Sequence, residues 1–471
     1  MTHNSRLVLV AAIFAAACSG SGPSTEDSGV SRDGAMADAT TPTDATTPAD
    51  ATSPTDAAPS DAGAVPPGSM LLPSGVTLRI PAAPDVTGDY DCGGANVLCV
   101  PSEFASPQLA ADAATAGDTV LVSAGSYQGF VVTKTGTAES PIRFIARPGV
   151  VIDSFPASGH GIVLRSDFER DFYVDYIQIV GFTIQAPPAR CIYLTKAIAS
   201  RPSVGQLIAQ NTCVDAGTEG FVLSQMSRSV VEDNVILNAG NGSSIDARDH
   251  GIYLSNGGVG DSLIRRNVIM GSSTNGIHFN GDRFVDTGGT DGVISGLVLD
   301  GNIIIGNGQN GFNMDGVQQS LFINNVFYAN SRHAIRGYAI DGAEGPRDIV
   351  VINNTFIENN SGVKLSDSLG GHVVFNNLFV DMRDEAIVVP SSDLTEGANV
   401  ISTSLALGSL PADLEHATPA QIAAFDFAVT AAGRAELVNM GRAMMAGERA
   451  PTHDLSGAPR TGRPDVGAVE Y

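Results

Sequence analysis

One asparagine recurs along the chain at intervals that never fall below 23 residues. Asn211, Asn234, Asn267, Asn302, Asn325, Asn354 and Asn377 lie 23, 33, 35, 23, 29 and 23 residues apart, each at the same place in a short apolar frame (QNTCV, DNVIL, RNVIM, GNIII, NNVFY, NNTFI, NNLFV). A second frame alternates with it, a turn residue and usually Gly followed by apolar, X, apolar, X. It reads HGIVLR at 160, RCIYLT at 190, EGFVLS at 219, HGIYLS at 250, NGIHFN at 275, NGFNMD at 310, HAIRGY at 333, SGVKLS at 361 and EAIVVP at 385. A fixed minimum period with a variable excess marks a repeated unit that carries loops. Two short strands per 23-residue unit, joined by Asn and Gly turns, describe one rung of a parallel β-solenoid, because one rung cannot bury its apolar face and stacked rungs can. Asn tolerates left-handed backbone at a sharp turn, and stacked Asn side chains can form a hydrogen-bonded ladder.

The composition agrees: 53 Gly, 16% charged residues and no Trp in 471 residues suit an all-β chain with many turns. Leucine-rich repeats have a similar unit length and an Asn ladder, but their Leu-x-x-Leu-x-Leu pattern and even spacing are missing. The frames resemble the right-handed parallel β-helix superfamily, the pectate-lyase-like group, over roughly residues 117–400. GDTVLVSAGSYQGFVV followed by SPIRFIARPGVVID looks like the opening rungs of such proteins, and DLSGAPRTGRPDVGAVEY like the tail of many secreted bacterial members. The resemblance implies a single-stranded right-handed parallel β-helix; it does not imply one activity, since the superfamily holds lyases, hydrolases, epimerases and adhesins. A solenoid needs its open ends covered. Residues 69–116 form the N-terminal cap region, with a short helix expected over 106–116, SPQLAADAATA, after a Ser-Pro start. Residues 401–471 form a C-terminal cover, partly helical around TPAQIAAFDF and AELVNMGRAMMAG.

Residues 1–17 read as a secretory signal: one Arg, an apolar run from Leu7, then small residues. The run is too short to span a bilayer. Ala15-Ala16-Ala17-Cys18 resembles a bacterial lipoprotein lipobox, which implies lipid on Cys18 and an outer-membrane location on the extracellular or periplasmic face. An ordinary cleaved signal peptide is the alternative. Residues 18–68 repeat Thr, Pro, Asp and Ala with almost nothing to bury, and are expected to be an extended tether. The formal charge is −24, of which the tether's eight acids and one Arg supply about a third. An acidic domain argues against nucleic acid as a partner. Cys92 and Cys99 share a Gly-rich loop in an oxidising compartment and are expected to pair. Cys191 and Cys213 lie about one rung apart, a spacing that allows a disulfide or two buried thiols.

Aligning the second frame turns sequence into columns, because stacked rungs lie about 4.8 Å apart and alternate side chains point outward. The first outward column reads Val163, Tyr193, Val222, Tyr253, His278, Asn313, Arg336, Lys364, Val388; the second reads Arg165, Thr195, Ser224, Ser255, Asn280, Asp315, Tyr338, Ser366, Pro390. The middle rungs gather the polar residues, and the longest insertions fall beside them, as in a groove built on a rigid scaffold. Eliminating across a uronate takes a cation for its carboxylate and a base for its proton. Arg336 and Lys364 suit those roles, with His278 or Tyr338 as base or acid. Asp315, Asp282, Asn280 and Asn313 offer the oxygens that Ca²⁺ prefers, with Asp282 and Asp315 as its carboxylates. Tyr253, His250, Asn280 and Asn313 are candidate substrate contacts. Hydrolysis would instead need paired carboxylates, for which Asp315 and Asp282 are the candidates. Asn313-Met314-Asp315-Gly316 looks like a fragment of the motif set of the pectin hydrolases. Asp246-Ala247-Arg248-Asp249 keeps the two acids of the alginate epimerases' Asp-Pro-His-Asp but not the Pro or His. The expectation is a monomeric cell-surface lipoprotein acting on polysaccharide, by elimination on a uronate-containing glycan. The alternative is a surface module that binds glycan or a partner without cleaving it.

Overall fold

Each rung contains three strands where the frames predict two. The computed structural model describes residue 66 and residues 68–471, apart from 198–199, 241–248, 256–257, 285–290, 409–426 and 432. Within it Leu207–Ala209, Thr212–Val214 and Phe221–Ser224 make one rung, and Val230–Glu232, Val235–Leu237 and Ile252–Ser255 the next. Stacked in parallel, they form three sheets of 13, 11 and 10 described strands. The extra strand escapes sequence reading because only two residues separate it from the second, too few to carry a separate turn signal. The second and third strands are those of the two frames.

That two-residue corner differs from expectation in one respect. The left-handed residue is the one before the ladder Asn: Gln210 (φ 57°), Asp233 (56°), Arg266 (51°), Gly301 (65°), Asn324 (56°), Asn353 (55°) and Asn376 (58°). The ladder Asn is fully buried instead, and its amide bonds the next rung. Asn325 Oδ1 accepts from the backbone N–H and side-chain amide of Asn302, and Asn325 Nδ2 donates to Leu299 O and Asn354 Oδ1, all at 2.9 Å. A second ladder, Asn307–Asn330–Asn359, follows the second sheet.

In-register columns fill the interior. Cys213, Ile236, Ile269, Ile304, Phe327, Phe356 and Phe379 are successive partners in the second sheet. The last three rings stack at 5.2 and 4.7 Å. β-Branched and aromatic residues fit a pleated surface buried on one side, and continuous apolar strands fit one buried on both. Two sheets are of the second kind. Leu72 and Leu78, flanking and within the antiparallel hairpin of Ser69–Leu71 and Thr77–Arg79, lie on Val180, Leu207, Val230 and Val298 of the first sheet. Phe427, Val429, Leu437, Val466 and Ala468 of the tail lie on the second. Among the described residues neither covers the outer face of the third.

The helix α1, Pro107–Ala113, closes the N-terminal end of the core with Ala110, Ala111 and Ala114 against Val122 and Phe130. Ser106 caps it, its hydroxyl accepting from Leu109 N at 3.4 Å. Ser106→Ala should cost about 1 kcal/mol in urea unfolding. At the other end the predicted helix of AELVNMGRAMMAG is a single 3-10 turn, Arg434–Glu436; Asn439 at φ 58° ends it, and Met444–Met445 pairs with Glu448–Arg449 as a small ribbon. TPAQIAAFDF falls almost wholly outside the described residues, as do Cys18 and the tether. Among the described residues no helix is long and apolar enough to cross a membrane. Both disulfides are formed, Cys92–Cys99 and Cys191–Cys213.

Candidate functional site

The outward columns of the third sheet are neighbours in the order that the frame gives. Tyr253 pairs in register with His278, His278 with Asn313, Asn313 with Arg336 and Arg336 with Lys364; beside them Ser255, Asn280, Asp315 and Tyr338 do the same. A groove of about 780 Å³ runs over these rungs from Arg190 and Tyr193 to Tyr338 and Asp341. His250, Tyr253, His278, Asn280, Asp282 and Tyr338 line it. Arg336 and Lys364 do not. Arg336 turns to Gly337 O (2.9 Å) and Ser366 Oγ (2.8 Å), with its guanidinium 5.1 Å from the centre of the Tyr338 ring. The cations in the lining are Lys196 and Arg190, and Arg190 is already paired with Glu219 at 2.9 Å.

Two histidines stand at the centre. His250 Nδ1 lies 2.6 Å from Thr274 Oγ1, and His250 Nε2 lies 2.8 Å from His278 Nδ1. Asp249, its neighbour in sequence, meets this group through its backbone carbonyl, which accepts from Thr274 Oγ1 at 2.6 Å. The directions follow in sequence. The Thr274 hydroxyl gives its one hydrogen to that carbonyl, so at 2.6 Å it accepts from His250 Nδ1–H, a contact much shorter than the 3.3 Å from the same nitrogen to Asn275 Nδ2. His250 Nε2 is then bare and accepts from His278 Nδ1–H, which leaves His278 Nε2 with a free lone pair. Burial pushes the pKa of His278 down to about 4 and that of His250 well below the ordinary imidazole value, with the neighbouring His278 adding to the latter shift. Both are neutral at pH 7.

The phenols are held by amides. Asn280 Nδ2 donates to Tyr253 Oη at 2.7 Å, and Asn313 Nδ2 to Tyr338 Oη at 2.8 Å. Asp315 is fully buried beside them. Its Oδ1 accepts from Ile340 N at 3.0 Å, and its Oδ2 has no partner. Burial raises its pKa to about 7, and the charges of Asp341 and Asp282 add to the rise. Asp282 Oδ1 accepts from Phe284 N at 2.7 Å. Among the described residues no three His, Cys, Asp or Glu side chains gather as a metal-holding group. With its orphaned oxygen near Asp282, Asp315 fits as part of a Ca²⁺ ligand set, not as the whole of one, since Ca²⁺ takes six to eight oxygens.

Some residues in and around the groove were not singled out by sequence. Thr274 sits in the turn before Asn275, and its part in the histidine chain has no sequence signature. Ile340 and Asp341 come from the insertion after Tyr338, whose path no repeat dictates. Phe284, 78% exposed, stands on the loop after Asp282 and lies against Gly342 of that insertion. The Arg190–Glu219 pair could have been found, since both precede the apolar frame on adjacent rungs. Asp246-Ala247-Arg248 lies outside the described residues.

A sequence model described as a right-handed beta helix region matches residues 245–401. No curated protein matches the chain in sequence. Among solved structures, pectate lyase Pel9A is similar with a TM-score of 0.53 at 16% identity, over 77% of this chain and 90% of the lyase. XylC in complex with xylose gives 0.46 at 12%, over 79% and 98% of the two chains. An alginate lyase from Paenibacillus sp. str. FPU-7 gives 0.36 at 18%, over 62% and 95%. Likeness at such identities speaks to fold, not to chemistry. On its three stacked parallel sheets and the matched repeats, the chain is a right-handed parallel β-helix.

Proposed function

We propose that the groove on the third sheet holds a polysaccharide and that the protein cleaves it by β-elimination next to a uronate. The observation that carries this reading is the histidine chain, which leaves a neutral His278 with a bare Nε2 on the groove wall. A neutral imidazole fixed in one tautomer can accept a proton, and with a pKa of about 4 it does so as a weaker base than an ordinary histidine. In the step, His278 Nε2 takes the proton at C5 of the uronate and the electron pair forms the C4–C5 double bond. The C4–O bond breaks, and the leaving oxygen takes a proton from a phenol. Tyr338 suits that role: its oxygen accepts from Asn313, so its own O–H is directed elsewhere. Arg336 and Lys364, stacked beyond Asn313 and outside the groove lining, would have to turn towards the groove to meet the carboxylate of the next sugar along the axis. Ca²⁺ on Asp282 and Asp315, when bound, would neutralise a glycan carboxylate. Cys18 and the tether would keep the protein at the outer membrane, as a monomer.

Absorbance of the new double bond, followed over a panel of uronate and neutral polysaccharides with Ca²⁺ and with chelator, tests the reading. His278→Ala should lower turnover by about 10²–10⁴. Thr274→Val, which frees the His250 tautomer, should lower it by roughly tenfold, with little change in KM. A flat signal on every uronate polymer sinks the lyase.

A second reading has an observation of its own. Glu219, Asp249, Asp282 and Asp341 outnumber the two cations of the groove. That balance favours a neutral glycan, held on Tyr193, Tyr253 and Tyr338 without cleavage. Binding of neutral polysaccharides with no turnover on any of the panel would establish it.

A further inference from the structure

A second cavity, of about 360 Å³, opens where the N-terminal hairpin crosses the first sheet, away from the groove residues. Arg79, Arg143, Arg228, Glu139, Tyr176 and Gln178 give it its chemistry. In a chain of net charge −24 this is a local excess of cations. Arg79 donates to Ala138 O at 3.2 Å, and neither Arg143 nor Arg228 has an ion pair among the described residues. Gln178, in register with Arg143, is only 5% exposed, and its Oε1 has no hydrogen-bond partner. A buried amide oxygen left unpaired costs roughly 1–3 kcal/mol, a cost that a donor in the cavity would remove.

Tyr176 adopts a left-handed backbone, φ 51°, and its ring packs on Gly205, where any Cβ would collide with it. That contact fixes the ring beside the cavity. Leu78, Pro141 and Val230 add apolar surface. Guanidinium groups recognise a carboxylate or a phosphate. Inorganic phosphate and sulfate offer chiefly acceptors and would leave Gln178 Oε1 unsatisfied; a neutral sugar would satisfy it and leave the arginines unused. A ligand with one carboxylate, hydroxyl donors and a pyranose-sized apolar face uses all three features, and the volume lies within the range of small-ligand pockets.

We propose that this cavity is a second binding site, separate from the groove, that takes a sugar acid, with its carboxylate on Arg143 and Arg228, a hydroxyl on Gln178 Oε1 and its apolar face on Tyr176.

Titration calorimetry on the full chain tests this with D-glucuronate, D-galacturonate, D-galactose and inorganic phosphate. At least one of the sugar acids should bind, about tenfold or more tighter than galactose or phosphate. Arg228→Gln, an exposed change that leaves the fold intact, should weaken it by about tenfold, and so should Arg143→Gln and Gln178→Leu. His278→Ala, in the groove, should leave this binding unchanged, so failure of the lyase reading and failure of this one are told apart. No binding of either sugar acid at millimolar concentration overturns the proposal. Equal binding of phosphate or galactose does so too, as does binding that His278→Ala removes and Arg228→Gln spares.

Discussion

Taken from pH 7 to pH 4.5, the protein should lose most of its stability. Burial holds His278, His333 and His372 at about 4 and keeps His250 well below the ordinary imidazole value, against 6.5 for an imidazole in the unfolded chain. The sign follows from proton binding. Between these values the unfolded state takes up protons that the folded state refuses, so the stabilisation is complete above about pH 6.5 and is lost as the pH falls towards 4. Each such group is worth at most about 3 kcal/mol, at 1.36 kcal/mol per pKa unit. Several together approach the 5–15 kcal/mol of a whole domain. Asp315 pulls the other way. Its pKa is raised to about 7, so its burial costs most above that pH and is relieved by acid, by at most about 4 kcal/mol. The histidines outweigh it. Urea unfolding at a series of pH values measures the sum. His372→Gln should flatten the acid slope, since the imidazole, which accepts from Ile349 N at 3.2 Å, would no longer be there to titrate. A wild-type curve that is level from pH 7 to 5 would mean that these side chains are not buried as described.

Removing one amide from the middle of the Asn ladder should be as damaging as a large core truncation. Asn325→Ala strips the backbone N–H and side-chain amide of Asn302 of their acceptor, and Leu299 O and Asn354 of a donor, all in a fully buried corner. A buried polar group left unpaired costs roughly 1–3 kcal/mol, and several are orphaned together, so the loss should be about 4 kcal/mol. Asn399 holds the last place in the same ladder, where it is partly exposed, accepting from Asn377 and donating to Val374 O. Water can replace its amide, and Asn399→Ala should cost about 1 kcal/mol. The ratio of the two losses in urea unfolding is the measurement. Equal small losses would show that the ladder adds nothing beyond the strand hydrogen bonds.

What could be read without coordinates was whatever repeats. The apolar frame of Ile252 and Leu254, Ile277 and Phe279, Phe312 and Met314 fixes which side chains point outward, because period two leaves no other choice. Register then follows from alignment, which is why Tyr253, His278, Asn313, Arg336 and Lys364 appear as consecutive neighbours. What does not repeat stayed hidden. The direction in which Arg336 turns its guanidinium depends on Ser366 and Tyr338 and not on the frame. The Thr274–His250–His278 chain joins a turn to two rungs, and Asp341 reaches Asp315 from an insertion. The first-sheet strands were missed because a corner of only two residues separates each from the next strand, and because outward residues such as Val180, Leu207, Val230 and Val298 are apolar beneath the hairpin, which blurs the alternation there.

A stack of rungs that touch only their nearest neighbours behaves as a one-dimensional chain, and such a chain can peel from either end. The two covers alter that. The tail residues Phe427, Leu437, Val466 and Ala468 bear on successive rungs from Leu237 to Val380, and the hairpin leucines on those from Val180 to Val298. Each acts as a brace across several steps of the stack, and their spans overlap. Lifting one rung from its neighbour then requires a brace to come away from many at once. The covers over the first two sheets thus also turn a fraying ladder into a cooperative body, and keep the spacing of the columns on the third sheet constant from end to end.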